Sequence, residues 1–151
     1  MQIKQVMYKK VHTILPSADL KTAMKLMIKK KISGLVVVDK DKNLLGILSE
    51  KDIYRSFYPS YSDFYSNPES FTDFESQEQD IKNKLLNQVQ SVMTTPAISV
   101  KPTEQVMKIG AIMLAKNIHR IPVVDEKERL VGVVTRGCIY KTLFKKYLKL
   151  K

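Results

Sequence analysis

The sequence predicts an α/β (α+β) protein built from two tandem copies of one β-α-β-β-α unit, and three observations carry that prediction. Sliding the 151-residue chain against itself by 86 positions aligns residues 6–54 with 92–140 without a gap, and 13 of the 49 pairs are identical. Among them are Pro16/Pro102, Met27/Met113, Val37/Val123, Val38/Val124, Asp39/Asp125, Gly46/Gly132, Ile53/Ile139 and Tyr54/Tyr140. Each copy places a helical apolar period ahead of two short β-branched runs. With 44% hydrophobic and 27% charged residues, the composition is that of a globular protein large enough to bury a core.

The elements follow in order. Pro16-Ser17 and Pro102-Thr103 mark helix starts, with Ser17 and Thr103 as candidate N-caps. Apolar residues then recur at Leu20, Ala23, Met24, Met27 and Ile28, and at Val106, Ile109, Met113 and Leu114. That i, i+3, i+4, i+7, i+8 spacing predicts one buried helical face, with Met24, Met27, Met107 and Met113 as core. Residues 35–38 and 121–124 are buried strands closed by Asp39 and Asp125. Polar turns lead to second strands over 44–48 and 130–134, each broken by a glycine where another backbone comes close (Gly46, Gly132). Helices over 50–57 and 136–147 end the copies. The expected division is a first repeat at 1–57, a connecting segment at 58–90 and a second repeat at 91–151. Residues 58–80 hold Tyr58, Tyr61, Phe64, Tyr65, Phe71 and Phe74, so several rings are expected to dock, with a helix over 79–90 feeding the second copy.

Composition excludes several function classes. Cys138 is the only cysteine, and His12 and His119 are the only histidines, so no intrachain disulfide or zinc cluster is expected and no metal site is assigned. No nucleophile sits in a recognisable setting and there is no Gly-x-x-x-x-Gly-Lys loop, so no catalytic residue is assigned and the protein is read as a non-enzyme. No apolar run is long enough to cross a bilayer and the N-terminus lacks a signal-peptide core, so a cytoplasmic protein without a membrane partner is expected. Charge is the loudest feature, with 26 basic against 15 acidic residues. Six of the acids lie between residues 56 and 81, where there is no Lys or Arg, so the remainder carries 26 − 9 = +17. Such a field attracts polyanions, or is simply a solvated lysine-rich surface.

The unit order, with Gly46-Ile47-Leu48-Ser49-Glu50-Lys51-Asp52 in one copy and Lys116-Asn117-Ile118-His119-Arg120-Ile121-Pro122-Val123-Val124-Asp125 in the other, resembles a pair of CBS domains, also called a Bateman module. The resemblance covers about 130 residues. It implies two repeats packed by their small sheets about a pseudo-twofold axis, and two clefts that hold an adenine nucleotide or an adenosyl ligand. It also implies assembly of two such pairs as a homodimeric disc.

The chemistry of such a site is readable in the residues. A carboxylate accepts from both hydroxyls of a ribose, which suits Asp52, and Ser49 precedes a helix N-terminus that favours phosphate. Arg120 can fork onto phosphate oxygens and His119 adds a donor. Ile47, Val100, Ile121 and Pro122 are expected as walls for adenine, with Ala97 and Ser99 on the adjoining strand. By the resemblance these residues share one cleft. The other cleft would be built from Thr13, Ile14, Ser33, Gly34 and Thr135. There Cys138 stands where the second Asp belongs and Ser33-Gly34 where His-Arg belongs, so that site is expected to be degenerate. Cys138 itself is read as a small half-buried filler.

The reading that follows is a regulatory module that senses AMP, ADP or ATP, requires no cofactor and transmits occupancy to an unidentified protein partner. The alternatives are an RNA- or DNA-binding protein using its basic surface, or a structural dimerisation unit with decayed clefts. The tail 141–151 is basic and amphipathic and is expected to pack on the module rather than anchor it to a membrane.

Overall fold

The computed structural model describes residues 1–58, 61–71 and 74–151. Its elements are β1 (Thr13–Ile14), α1 (Leu20–Lys30), β2 (Gly34–Val38), β3 (Leu44–Ser49), α2 (Glu50–Phe57), α3 (Tyr61–Ser66), α4 (Phe74–Lys84), α5 (Val106–Ala115), β4 (Arg120–Val124), β5 (Leu130–Thr135) and α6 (Arg136–Tyr147). The mixed α/β architecture with two small sheets agrees with the fold class read from the sequence. The chain forms two compact units. One comprises Thr13–Val37 and Gly46–Thr95; the other comprises Met1–His12, Val38–Leu45 and Pro96–Lys151.

In the first unit the sheet order is β1-β2-β3, with β1 parallel to β2 (Thr13 beside Val36, Ile14 beside Val37). Leu20, Ala23 and Met27 of α1 are buried, as are Leu35, Val36, Val37, Leu48 and Ile53. Asp19, not Ser17, caps α1, its carboxylate accepting from the Thr22 N–H at 2.7 Å. Ser17 lies two residues too early, in the turn with Pro16. The next orphan amides of α1 find partners far along the chain, Leu20 N–H on Asn87 O at 2.9 Å and Lys21 N–H on Leu85 O at 3.0 Å. This explains why the helix expected over 79–90 is instead α4, ending at Lys84: the residues after it are spent as a cap for α1. Val89 N–H and Gln90 N–H then bond to Ala18 O and Pro16 O.

The second unit repeats the design. Its sheet is the antiparallel pair β4-β5, and Val100 forms an isolated parallel bridge to Val123 where β1 would lie. A single cluster fills its core: Ile3, Val6, Val100, Val106, Ile109, Met113, Ile121, Val123, Val134, Cys138 and Ile139. Ile3 and Val6 come from the N-terminus, which is fastened by Ile3 N–H on Glu104 O and Lys4 N–H on Pro102 O, both 2.9 Å, and by Val106 N–H on Met1 O at 3.0 Å. Each repeat is thus completed by the segment that precedes the other. Thr103 is not a cap either; Gln105 occupies that position on α5 without a side-chain bond.

The repeat symmetry extends to the backbone. Lys31 and Asn117 take the left-handed conformation one repeat apart (φ 53° and 52°), and so do Lys42 and Glu128 (φ 64° and 60°). Asp39 accepts from the amides of Asp41 and Asn43, and Asp125 from those of Lys127 and Arg129, closing both turns.

Three sequence expectations are corrected. Ile28 and Leu114 are 74% and 73% exposed and Met107 is exposed too, so the helical apolar period is wider than the face that reaches the core. Tyr58, Tyr65 and Phe74 of the connecting segment are exposed rather than docked. The side chains of Tyr61, Phe64 and Phe71 lie outside the described ones. One face of α6 packs on its unit, through Cys138, Ile139 and Leu143, while Tyr140, Phe144 and Tyr147, and Leu148 and Leu150 beyond the helix, are exposed. Among the described residues, no helix is long and apolar enough to cross a membrane.

Candidate ligand site

In the first unit, β3 runs directly into α2, and Ser49 is the N-cap. Its Oγ accepts from the Asp52 N–H at 3.2 Å, while Asp52 Oδ2 accepts from the Ser49 N–H and hydroxyl, each at 2.9 Å. The box ties up two of the helix's orphan groups and holds the carboxylate at the positive end of α2. A third hydroxyl joins it: Thr94 Oγ1 donates to Asp52 Oδ1 at 3.0 Å. Thr94 is held there by a two-way backbone bridge to Ile47 (Thr94 N–H to Ile47 O 2.8 Å, Ile47 N–H to Thr94 O 3.0 Å). The bridge depends on Gly46, because a Cβ there would stand 2.8 Å from Thr94 O. Ser33 is also nearby, its carbonyl accepting from the Glu50 N–H at 3.0 Å.

The second unit builds the same frame from different side chains. Thr135 caps α6, and Cys138 takes the place of the carboxylate: Thr135 N–H donates to Cys138 Sγ, Cys138 Sγ–H to Thr135 O, and Cys138 N–H to Thr135 Oγ1, all at 3.1 Å. Cys138 is fully buried, not half-buried. Tyr8 stands where Thr94 does, bridged to Val133 as Thr94 is to Ile47. The His119 carbonyl accepts from the Arg136 N–H at 3.1 Å, matching Ser33. Arg120 opens β4 opposite Thr135. The His119 side chain is exposed and Arg120 half-buried. Arg136, also cationic, is locked onto Ile118 O, Met113 O and Asn117 Oδ1 and is spent on closing α5.

The structure gathers the sequence-expected residues by unit. Ile47, Ser49 and Asp52 lie on the first, with Thr13, Ile14, Ser33 and Gly34; Ala97, Ser99, Val100, His119, Arg120, Ile121, Pro122 and Thr135 lie on the second. Val100 and Ile121, expected as walls of an adenine slot, are buried in the core cluster, and Ile121 is 0% exposed. Pro122 is buried as well. Ile47, Ala97 and Ser99 keep partly open surface. Thr94 escaped the sequence reading although the repeat register sets it against Tyr8, a polar-to-aromatic change that parallels Asp52 against Cys138.

These observations define a tandem-repeat α/β protein with one helix-cap cluster in two versions, one built on a carboxylate and one on a thiol. The CBS domain model matches residues 3–58 and 89–145, and the chain belongs to the CBS domain family. It is 35% identical to the uncharacterized protein MJ1426 of Methanocaldococcus jannaschii, over 95% of this chain and 91% of that one. In fold it is similar to CBSX2 of Arabidopsis thaliana in complex with AMP (TM-score 0.76, 23% identity, 97% of this chain and 98% of that one). It is also similar to the CBS domain pair of protein MJ0100 in complex with 5'-methylthioadenosine and S-adenosyl-L-methionine (TM-score 0.71, 24% identity, 97% and 98%).

Proposed function

We propose that this chain is a regulatory module that binds an adenine nucleotide or related adenosyl ligand and passes its occupancy to a partner. The observation that carries the reading is the Ser49–Asp52–Thr94 cluster. Asp52 Oδ2 accepts two bonds and Oδ1 one, and a carboxylate offers about four acceptor positions, so Oδ1 retains room for a ribose hydroxyl. AMP, methylthioadenosine and S-adenosylmethionine, the ligands in the two similar complexes, share the adenosine portion and differ in phosphate, which supports a ribose-directed anchor. His119 and Arg120 are the proposed phosphate contacts, with Ile47, Ala97 and Ser99 beside the base. The thiol version at Thr135 and Cys138 lacks an anionic acceptor, and we propose that it takes no nucleotide.

The module is further proposed to act as a homodimer. Tyr54 on α2 with Tyr58 at its C-cap, and their repeat counterparts Tyr140 and Phe144 on α6, form exposed tilted ring pairs, with centroids 4.8 and 4.6 Å apart. Apolar surface repeated in this way is what a second copy would cover.

Thermal unfolding against AMP, ADP, ATP, S-adenosylmethionine and phosphate tests the ligand reading, with Asp52→Asn alongside. A ligand at about 100 times its Kd stabilises by about 2.7 kcal/mol, a shift of several degrees at this size. An adenosine-dependent shift that Asp52→Asn removes is the expected result. The absence of a shift with every adenosyl ligand would refute the reading.

A further inference from the structure

The chain's net charge of +11 belongs to one of its units. The unit made of Met1–His12, Val38–Leu45 and Pro96–Lys151 holds 17 Lys and Arg against six acids, a balance of 17 − 6 = +11, whereas the other unit holds nine of each. Three of those six acids are neutralised by nearby cations, Asp125 by Arg129, Glu104 by Lys108 and Glu128 by Lys101. All six lie at or before Glu128, so residues 129–151 carry seven cations and no acid. Of the seven, Arg129 is paired with Asp125, and Arg136 is spent on closing α5. Lys145 and Lys146 on α6 and Lys149 just beyond it are exposed and, among the described residues, have no ion-pair partner.

A run of uncompensated cations attracts polyanions, and the residues among the cations narrow the kind. Tyr147 is exposed, and Lys146 Nζ stands 5.6 Å from its ring centroid, so a ring for stacking and a cation for phosphate come side by side. Stacking on a side-chain ring needs a base whose face is free, which a single strand offers and a duplex does not. A membrane surface instead needs a sustained apolar helical face. Here α6 ends at Tyr147, Lys149 is left-handed (φ 52°), and the residues that follow the helix alternate Leu148, Lys149, Leu150, Lys151. We propose that the end of α6 is a docking site for single-stranded nucleic acid, with Lys145, Lys146 and Lys149 on its phosphates and Tyr147 stacked on a base. The site is independent of the adenosyl ligand and leaves the Tyr140–Phe144 pair to a second copy.

The test is fluorescence anisotropy of a labelled oligouridylate with the full chain across a salt series; the probe carries no adenine for the Asp52 site to hold. The variants are Lys145→Gln/Lys146→Gln/Lys149→Gln, Tyr147→Ala and Tyr147→Phe. The control is Lys25→Gln/Lys29→Gln/Lys30→Gln, three exposed lysines of α1 in the unit without net charge. Every position is exposed, so the fold tolerates each change. For a single strand, log K falls with log salt by about 0.7 per neutralised phosphate, so loss of the three tail lysines should flatten the slope by about 2 and weaken binding about tenfold or more at low salt. Tyr147→Ala should cost about tenfold without changing the slope, and Tyr147→Phe should bind as the parent does. The control should keep the parent's slope and affinity. No binding at low salt, a tail variant that titrates like the parent, a control that loses as much as the tail variant, or a Tyr147→Ala protein that binds like the parent overturns the proposal. Tighter association with vesicles of equal parts phosphatidylglycerol and phosphatidylcholine than with oligouridylate also overturns it and assigns the tail to a membrane surface.

Discussion

Gly46→Ala tests the link between the repeat's backbone and its site. An ideal Cβ at position 46 lies 2.8 Å from Thr94 O and 2.9 Å from Met93 Sδ. The carbonyl cannot simply retreat, because it accepts from the Ile47 N–H at 3.0 Å, so relief stretches the bridge that places Thr94 on Asp52. Overpacking of this kind costs about 1–3 kcal/mol. Gly46 does not have a positive φ, so alanine meets no backbone strain of its own and recovers about 0.4–1 kcal/mol by restricting the unfolded chain. The net is a loss of about 1–2 kcal/mol, or roughly 3–7 °C at this length. Gly132→Ala is the internal control. There the nearest atom is Met7 Sδ at 2.7 Å, the movable end of a side chain, and the carbonyl of Tyr8 is farther away at 3.0 Å. Calorimetric unfolding of both variants should show the larger loss at position 46. The nucleotide-induced shift should shrink in Gly46→Ala alone. A Gly46→Ala protein as stable as the parent, or an equal loss in Gly132→Ala, would refute the close-approach argument.

Further outcomes can be stated together. Ser49→Ala removes the cap of α2 and should cost about 1 kcal/mol by denaturant unfolding, while Ser49→Thr should cost little. Thr94→Val should weaken nucleotide binding by calorimetric titration, with Thr94→Ser restoring it, because only the hydroxyl reaches Asp52. Titration should give one nucleotide per chain; two equal sites would contradict the loss of the carboxylate at Cys138. Asp39, held low by its bonds from Asn43, and Asp125, held low chiefly by the Arg129 amide, are ionised in the folded chain where the unfolded chain is already partly protonated. Asp19, held low by Thr22, and Glu104, held low by the Lys101 amide, add to this in the same direction. Their stabilisation is complete above about pH 5 and is lost as pH falls through the depressed folded values, so Asp39→Asn/Asp125→Asn should flatten the acid limb of the stability curve below about pH 4.

The repeat made the elements legible because every signal occurs twice in one register. The strands at 35–38 and 121–124 and the helices at 50–57 and 136–147 lie within a residue of where periodicity puts them. What escaped was long-range. No local pattern announces that Ile3 and Val6 fill the core beneath Val106, or that Asn87 O receives the Leu20 amide. Alternation along a strand shows that Val100 and Ile121 are buried without telling a core from a ligand wall. The helical period likewise marks Ile28, Leu114 and Met107 as apolar without saying whether their own unit covers them. Asp52 and Ser49 were readable because a capping box is local, whereas Thr94 reaches Asp52 from 42 residues away.

The two units show how a duplicated frame comes to do two things. Left-handed residues, carbonyl caps and glycine approaches recur at equivalent positions, so around the helix caps the two units differ chiefly in side chains. In the repeat register Thr94 and Asp52 of one unit correspond to Tyr8 and Cys138 of the other, and Ser33 and Gly34 of the first correspond to His119 and Arg120 of the second. The carboxylate and the basic pair therefore sit on different units, and neither unit alone offers both a ribose acceptor and a phosphate partner. Restoring Asp at position 138 would add an acceptor beside the basic pair on a single unit, which is the arrangement this sequence avoids.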